Sequence, residues 1–119
     1  MATRKQTGQW GEALAARHLE THGYEIVARN WRHGHGELDL VVRRDGLLVF
    51  VEVRARHGQA RGAPEETLGS AKREKIRQTA EAYLVAHDLL EAEVRFDVIA
   101  IDLDARNAVT RLSHYEAAL

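Results

Sequence analysis

Residues 36–54 read Gly-Glu-Leu-Asp-Leu-Val-Val-Arg-Arg-Asp-Gly-Leu-Leu-Val-Phe-Val-Glu-Val-Arg, and this stretch decides the fold. Two runs rich in Val and Leu, Glu37–Arg44 and Leu47–Arg54, flank the dipeptide Asp45-Gly46. That dipeptide predicts a hairpin, because a type I′ turn needs positive φ at both central positions. A two-residue turn also sets the register. Arg44 then faces Leu47, Val41 faces Phe50, Asp39 faces Glu52 and Glu37 faces Arg54. The other face, Leu38, Leu40, Val42, Val49, Val51 and Val53, is wholly aliphatic and is expected to pack on a helix.

Asp39 against Glu52 breaks a local rule inside otherwise regular strands, since like charges directly opposed in a sheet destabilise it. Such exceptions tend to sit at functional sites. A divalent cation would turn the repulsion into a ligand set, because hard cations favour oxygen donors. The bland alternative is a Glu37–Arg54 salt bridge on a solvated face, with Asp39 and Glu52 pointing to water.

Outward from the hairpin, Trp10–His22 has the apolar spacing of a helix, closed by Gly23. Tyr24–Ala28 alternates as a strand, and Arg29–Arg32 is its continuation or exit. His33–Gly36 reads as a loop. After Arg54 comes a polar loop, Ala55–Gly69, containing Arg61 and the only proline, Pro64. Ser70 can cap a helix running to about Asp88, with Ile76, Ala80, Tyr83 and Leu84 as its apolar stripe. Val94–Leu103 is a further strand and Ala108–Leu112 a short edge strand. The order α-β-β-β-α-β-β makes a mixed sheet flanked by helices, an α/β fold.

The chain of 119 residues fits a single domain, 1–119, with flexible tails expected at 1–7 and 115–119. It has no cysteine, which removes disulfides and thiolate chemistry and fits a cytoplasmic location. Neither a secretory signal nor a membrane span is expected. The net charge of −1 gives no global basic excess. Between Arg29 and Arg61, however, seven arginines face Glu37, Asp39, Asp45 and Glu52, and metal neutralisation of those acids would leave the stretch positive.

The strings Gly36–Leu40, Val49–Arg54 and Arg95-Phe96-Asp97-Val98-Ile99 resemble the bacterial uncharacterised protein family 0102, the YraN-like proteins. Gly8, Gly11-Glu12, Gly23-Tyr24, Arg29-Asn30-Trp31-Arg32 and Lys72 match the same pattern. The resemblance implies a restriction-endonuclease-like core of the PD-(D/E)xK superfamily, similar to Holliday-junction resolvases. It places Asp39 and Glu52 at the two acidic motif positions and Glu12 at the acidic position on the first helix, with Glu37 an additional ligand. The implied cofactor is Mg²⁺ or Mn²⁺.

The motif lysine falls on Arg54, a departure, since arginine stays charged and cannot act as a base. Arg54 could still stabilise charge developing on phosphate. Lys72, beside free helix N–H groups, is expected to meet phosphate, with Arg56 and Arg32 as further nucleic-acid contacts. The implied activity is hydrolysis of phosphodiester bonds in branched or structured DNA, by an enzyme that resembles resolvases in working as a homodimer. The alternative is a nucleic-acid-binding or protein-interaction module that keeps the fold without catalysis. A two-carboxylate glycosidase is disfavoured, since only seven residues are Phe, Trp or Tyr.

Among weaker signals, His33 and His35 supply only two of the ligands a zinc site needs. Trp10 is expected to be buried against the sheet, Tyr83 to sit in the core, and Asp97 to be structural, pairing with an arginine.

Overall fold

A computed structural model describes residues 4–57 and 69–119. The elements are α1 (Arg4–Thr21), β1 (Glu25–His33), β2 (Gly36–Arg44), β3 (Leu47–His57), α2 (Ser70–Ala86), β4 (Glu93–Leu103) and β5 (Val109–Tyr115). This is the expected order, a mixed α/β architecture with two helices flanking one sheet. The five strands lie in chain order. β3 and β4 are parallel and every other neighbouring pair is antiparallel. Parallel neighbours need a crossover, and α2 lies within it. The expected loop around Arg61 and Pro64, and the first three residues of the expected N-terminal tail, lie outside the described residues.

Asp45 and Gly46 take φ values of 51° and 80°, the positive pair the turn requires. The hairpin follows the expected register from Arg44–Leu47 to Leu40–Val51. There the ladder ends. The expected Asp39–Glu52 and Glu37–Arg54 rungs do not form as backbone pairs, because Asp39 Oδ2 accepts the Val53 N–H at 2.8 Å in place of a β2 carbonyl.

Leu40, Val42, Val49 and Val51 pack against Ala15, Ala16 and Leu19 of α1. On the opposite face Val41, Leu48 and Phe50 meet Ile76, Ala80 and Tyr83 of α2. Leu38, expected beside Leu40, joins this α2 side instead. The same slip occurs next door on β1, where Ala28 and Trp31 share the α2 side although three residues apart. Between them Asn30 sits at φ 50°, which breaks the two-residue alternation of a strand. Both strands therefore change phase at one place, between the Arg29–Leu40 and Trp31–Leu38 pairs.

Gly36 lets α2 approach this dislocation. A Cβ there would collide with Thr79 Oγ1, whose hydroxyl donates back to the Lys75 carbonyl at 2.7 Å.

Several boundaries differ from the sequence reading. α1 starts at Arg4, and Trp10 is 43% exposed rather than buried on the sheet. β1 takes the expected continuation through Arg29–Arg32 and adds His33, and β3 runs to His57 because β4 pairs with it along its full length. Ser70 is the first helical residue; Gly69 takes the cap position, with no side-chain capping bond. The expected tail at 115–119 is held in place. Ala117 N–H donates to Asp97 Oδ1 (3.1 Å), Ala118 N–H to the Phe96 carbonyl (2.9 Å), and Leu119 packs on the α2 side.

Asp97 organises this end of the sheet. It is fully buried, accepts two hydrogen bonds of 2.8 Å from Arg95, and accepts another from His114. Burial alone would raise its pKa, but the bonds from His114, Arg95 and Ala117 outweigh burial and hold it down at about 2. Arg95 also donates to the Tyr24 hydroxyl at 2.7 Å. The expected structural role and arginine partner are both present. Among the described residues no helix is long and apolar enough to cross a membrane.

Candidate metal centre

The open end of the β2–β3 hairpin is where the chemistry-bearing residues gather. β2 contributes Glu37 and Asp39, β3 contributes Glu52 and Arg54, α1 contributes Glu12, and α2 contributes Lys72 from its first turn. The phase slip and the early end of the ladder remove backbone from this corner and leave side chains there.

Glu12, Glu37 and Asp39 each offer a carboxylate oxygen, and the three oxygens lie within 4.8 Å of one another. Glu52 is outside that trio but close enough for its charge to act on Asp39, and Lys72 Nζ stands 3.4 Å from Glu52 Oε1. A cleft of about 300 Å³ opens here, lined by His35, Gly36, Glu37, Asp39, Glu52, Lys72, Lys75 and Ile76.

The electrostatics are strained in one direction. Burial, then the charge of Glu52, pushes Asp39 up to about 7, against the pull of the Val53 N–H. Burial also raises Glu52, although Lys72, the bond with Asp39 and Arg54 all oppose it. Glu12 is raised as well, by burial and then by Asp39, while a hydrogen bond with Asn30 acts the other way. Burial is the first cause in all three acids, and repulsion from neighbouring carboxylates adds to it at Asp39 and Glu12 but not at Glu52.

The donor set is all oxygen, the oxygens are close enough to share one ion, and the excess charge is negative. These features fit a hard divalent cation of the Mg²⁺ or Mn²⁺ type.

The remaining candidates are placed less centrally. Glu37 pairs with Arg32 at 3.2 Å rather than with Arg54. Arg54 is half-buried, and its charge acts on Glu52. Arg56 is largely buried in an ion pair with Asp102, which holds its guanidinium away from the role of a surface phosphate contact. His33 stacks on Trp31, whereas His35 lines the cleft. Trp31 packs edge-on against Tyr83, the core residue the sequence suggested, so it belongs to the hydrophobic layer.

Sequence reasoning missed Asn30, which turns the strand beside Glu12 and lowers its pKa against burial. The signal available was its residue type, since asparagine is enriched at positive φ. Lys75, which by sequence is part of a solvated helix face, lines the cleft; a surface lysine on a helix is ordinary until its neighbours are known.

The model of the uncharacterised protein family UPF0102 matches residues 11–101. Glu12, Glu37, Asp39, Glu52, Arg54 and Lys72 all fall inside that stretch. A UPF0102 protein of Roseiflexus castenholzii is 44% identical over 117 residues, covering 98% of this chain and 94% of its own. One of Beutenbergia cavernae is 43% identical, covering 96% of each chain. Among solved structures, Pyrococcus furiosus SfsA in complex with Ca²⁺ is similar with a TM-score of 0.39 and 15% identity. That match covers 94% of this chain, which spans 63% of the SfsA chain.

Proposed function

Because the chain belongs to the uncharacterised protein family UPF0102, its chemistry has to be read from its own site, and we propose that it is a divalent-metal-dependent nuclease. The proposed reaction is hydrolysis of phosphodiester bonds in branched or otherwise structured DNA, in the cytoplasm, by a homodimer. The observation that carries this reading is the carboxylate trio Glu12, Glu37 and Asp39, with oxygens within 4.8 Å, beside the Glu52–Lys72 pair.

In this reading Asp39, Glu12 and Glu37 would hold the ion, with Glu52 beside Asp39 as a further ligand candidate. A bound divalent cation supplies Lewis-acid polarisation of the phosphoryl oxygen and a more acidic water. The protein's own part is positioning. The Val53 N–H fixes the Asp39 carboxylate where it lines the cleft. Lys72 and Lys75 stand on the cleft wall, where a phosphate would meet them together with the first N–H groups of α2. Arg54, always charged, stabilises developing charge and takes no proton. The preference for branched or structured DNA, and the dimer, rest on the resemblance to resolvases.

A second reading has one specific observation in its favour. With Arg54 where the motif has lysine, the site lacks a base at that position, as a binding module that has lost catalysis would. The test is a Mn²⁺ titration by calorimetry on wild type, Asp39→Asn and Glu52→Gln, followed by cleavage of branched, flapped and single-stranded DNA. Binding lost in both variants, with metal-dependent cutting by wild type alone, supports the nuclease. Salt-dependent DNA binding without cutting in Mg²⁺ or Mn²⁺ would identify the module.

A further inference from the structure

Beside the carboxylate cleft lies a second groove, about 410 Å³ in volume, between the end of β1 and α2. His33 lines one side, and Gln78, Glu81, Ala82, Val85 and Ala86 line the other. The two spaces adjoin. His35 and Lys75 belong to the walls of the carboxylate cleft, and the second groove takes up from them with His33 and Gln78. His33 and His35 flank Gly34, which turns the chain at φ 59°. Lys75 and Gln78 are i, i+3 neighbours on the helix. This side of α2 therefore passes from charged to apolar, from Lys72 and Lys75 through Gln78 and Glu81 to Ala82, Val85 and Ala86.

His33 makes a prepared wall. Its ring lies parallel to that of Trp31, with 5° between the planes and 5.9 Å between centroids. Trp31 in turn stands edge-on to buried Tyr83 at 5.2 Å and to His87 at 6.2 Å. The imidazole is thus backed by packed rings while itself exposed. Across the groove, Val85 is an apolar side chain left 59% exposed. Glu81 adds a carboxylate that, when ionised, can only accept hydrogen bonds. Gln78 is engaged by Glu74 only at 3.5 Å.

We propose that this groove receives one unpaired nucleobase of a nucleic acid whose phosphate lies in the neighbouring cleft, and that it favours cytosine over thymine. The inference rests on the nuclease reading and names the feature of the substrate that the site takes, a nucleotide outside the duplex. Unpaired bases are held by stacking on aromatic side chains and by hydrogen bonds to their edges; His33 and Glu81 supply the two. The order along α2 is that of a nucleotide, with cations for the phosphate and an apolar wall for the base. Lys75 and Gln78 are only about 4.5 Å apart along the helix axis. A base inside an intact duplex is stacked and paired, so the groove selects single-stranded or branched positions. The choice of base follows from Glu81. A carboxylate accepts from the cytosine N4 amine, whereas thymine presents its O4 acceptor. An apolar peptide would fill the groove but leave the adjoining lysine-walled cleft unused.

The test is fluorescence anisotropy of the full chain with labelled single-stranded oligonucleotides at pH 8 in EDTA, where metal-dependent cutting is stopped. Oligomers of cytosine, of thymine and of abasic sites, equal in length, are compared for wild type, His33→Ala and Glu81→Gln. Both residues are exposed, so neither change threatens the fold. Wild type should bind the cytosine oligomer at least about fivefold more tightly than the abasic one. His33→Ala should remove most of that advantage and leave the salt dependence unchanged. Glu81→Gln should bring the cytosine and thymine affinities together, because an amide can also donate to O4. Equal affinity for all three oligomers, or no response to either variant, would overturn the inference. Mn²⁺-dependent cutting of branched DNA by wild type would still support the nuclease reading, so the two fail separately. If no oligomer binds, and Val85→Lys turns a wild-type dimer into a monomer in sedimentation, the groove is a contact between copies and the inference falls.

Discussion

Asp39 Oδ2 accepts the Val53 backbone N–H at 2.8 Å, so an acidic side chain on β2 takes over the hydrogen bond that the β2 backbone no longer provides to β3. The bond explains how a carboxylate can be held half-buried at a place where its own pKa is pushed up to about 7. The same carboxylate thus serves the fold through Val53 and lines the cleft.

The first prediction follows from that division. An asparagine at 39 keeps an oxygen for Val53 but removes the charge. In an unfolded chain Asp39 titrates near 4, below its folded value, so the folded protein binds the extra proton. The unfavourable contribution of the Asp39 charge is absent below pH 4, grows as pH rises to about 7, and is fully present above. In chelator-treated buffer at pH 8, Asp39→Asn should melt at the same temperature as wild type or a few degrees higher, at about 4 °C per kcal/mol. At pH 4 the difference should vanish. A large drop in melting temperature at pH 8 would make Asp39 a structural residue.

Much of this site is legible in the residues alone. The turn at Asp45-Gly46 fixes the register, and register is enough to bring Asp39 and Glu52 to the same end of the hairpin. What sequence could not supply was the dislocation. Alternation assumes one residue per rung, and Asn30 at φ 50° breaks that assumption on β1, just where Leu38 changes sides on β2. Charge pairing was equally hidden. Arg56 looks like any basic residue on a strand, yet β4 delivers Asp102 to it through a pairing separated by more than forty residues. The ordered end at Ala117–Leu119 escaped for the same reason, since its partners Phe96 and Asp97 are distant in sequence.

A second prediction concerns Asp97. Its pKa of about 2 lies below the unfolded value near 4, so its ion pair stabilises the fold above pH 4, and that contribution is lost as pH falls from about 4 through 2. Asp97→Ala leaves Arg95 largely buried with its principal anionic partner gone and removes the acceptor for His114. Breaking a buried pair from one side costs about 3–5 kcal/mol. Urea unfolding at pH 7 should show a loss of that size. At pH 2 wild type and variant should differ much less.

Gly36→Ala tests how closely α2 must sit. The added methyl overlaps Thr79 Oγ1, and the β-carbon and methyl of Thr79 lie 3.1 and 3.2 Å away, so Thr79 or the helix that carries it has to give. Overpacking of this kind costs about 1–3 kcal/mol. The Thr79→Ala change removes the hydroxyl but not the β-carbon, so the double variant should recover part of the loss in a denaturation cycle. Additive costs would mean that the two residues are not in contact.

The last prediction separates arginines and lysines that look alike in sequence. Lys72 is 57% exposed on the cleft wall, whereas Arg56 is 19% exposed and paired with Asp102. Each phosphate neutralised on duplex DNA contributes about −0.9 to the slope of log affinity against log salt. If DNA enters this cleft, Lys72→Ala and Lys75→Ala should each flatten that slope by about one unit and weaken binding to all sequences alike. Arg56→Ala should leave the slope unchanged and lower thermal stability instead, because it strands the half-buried Asp102 carboxylate. Fluorescence anisotropy across a salt series measures both. A slope that responds to Arg56 and ignores Lys72 would move the DNA path off the carboxylate cleft, and the hydrolytic reading would go with it.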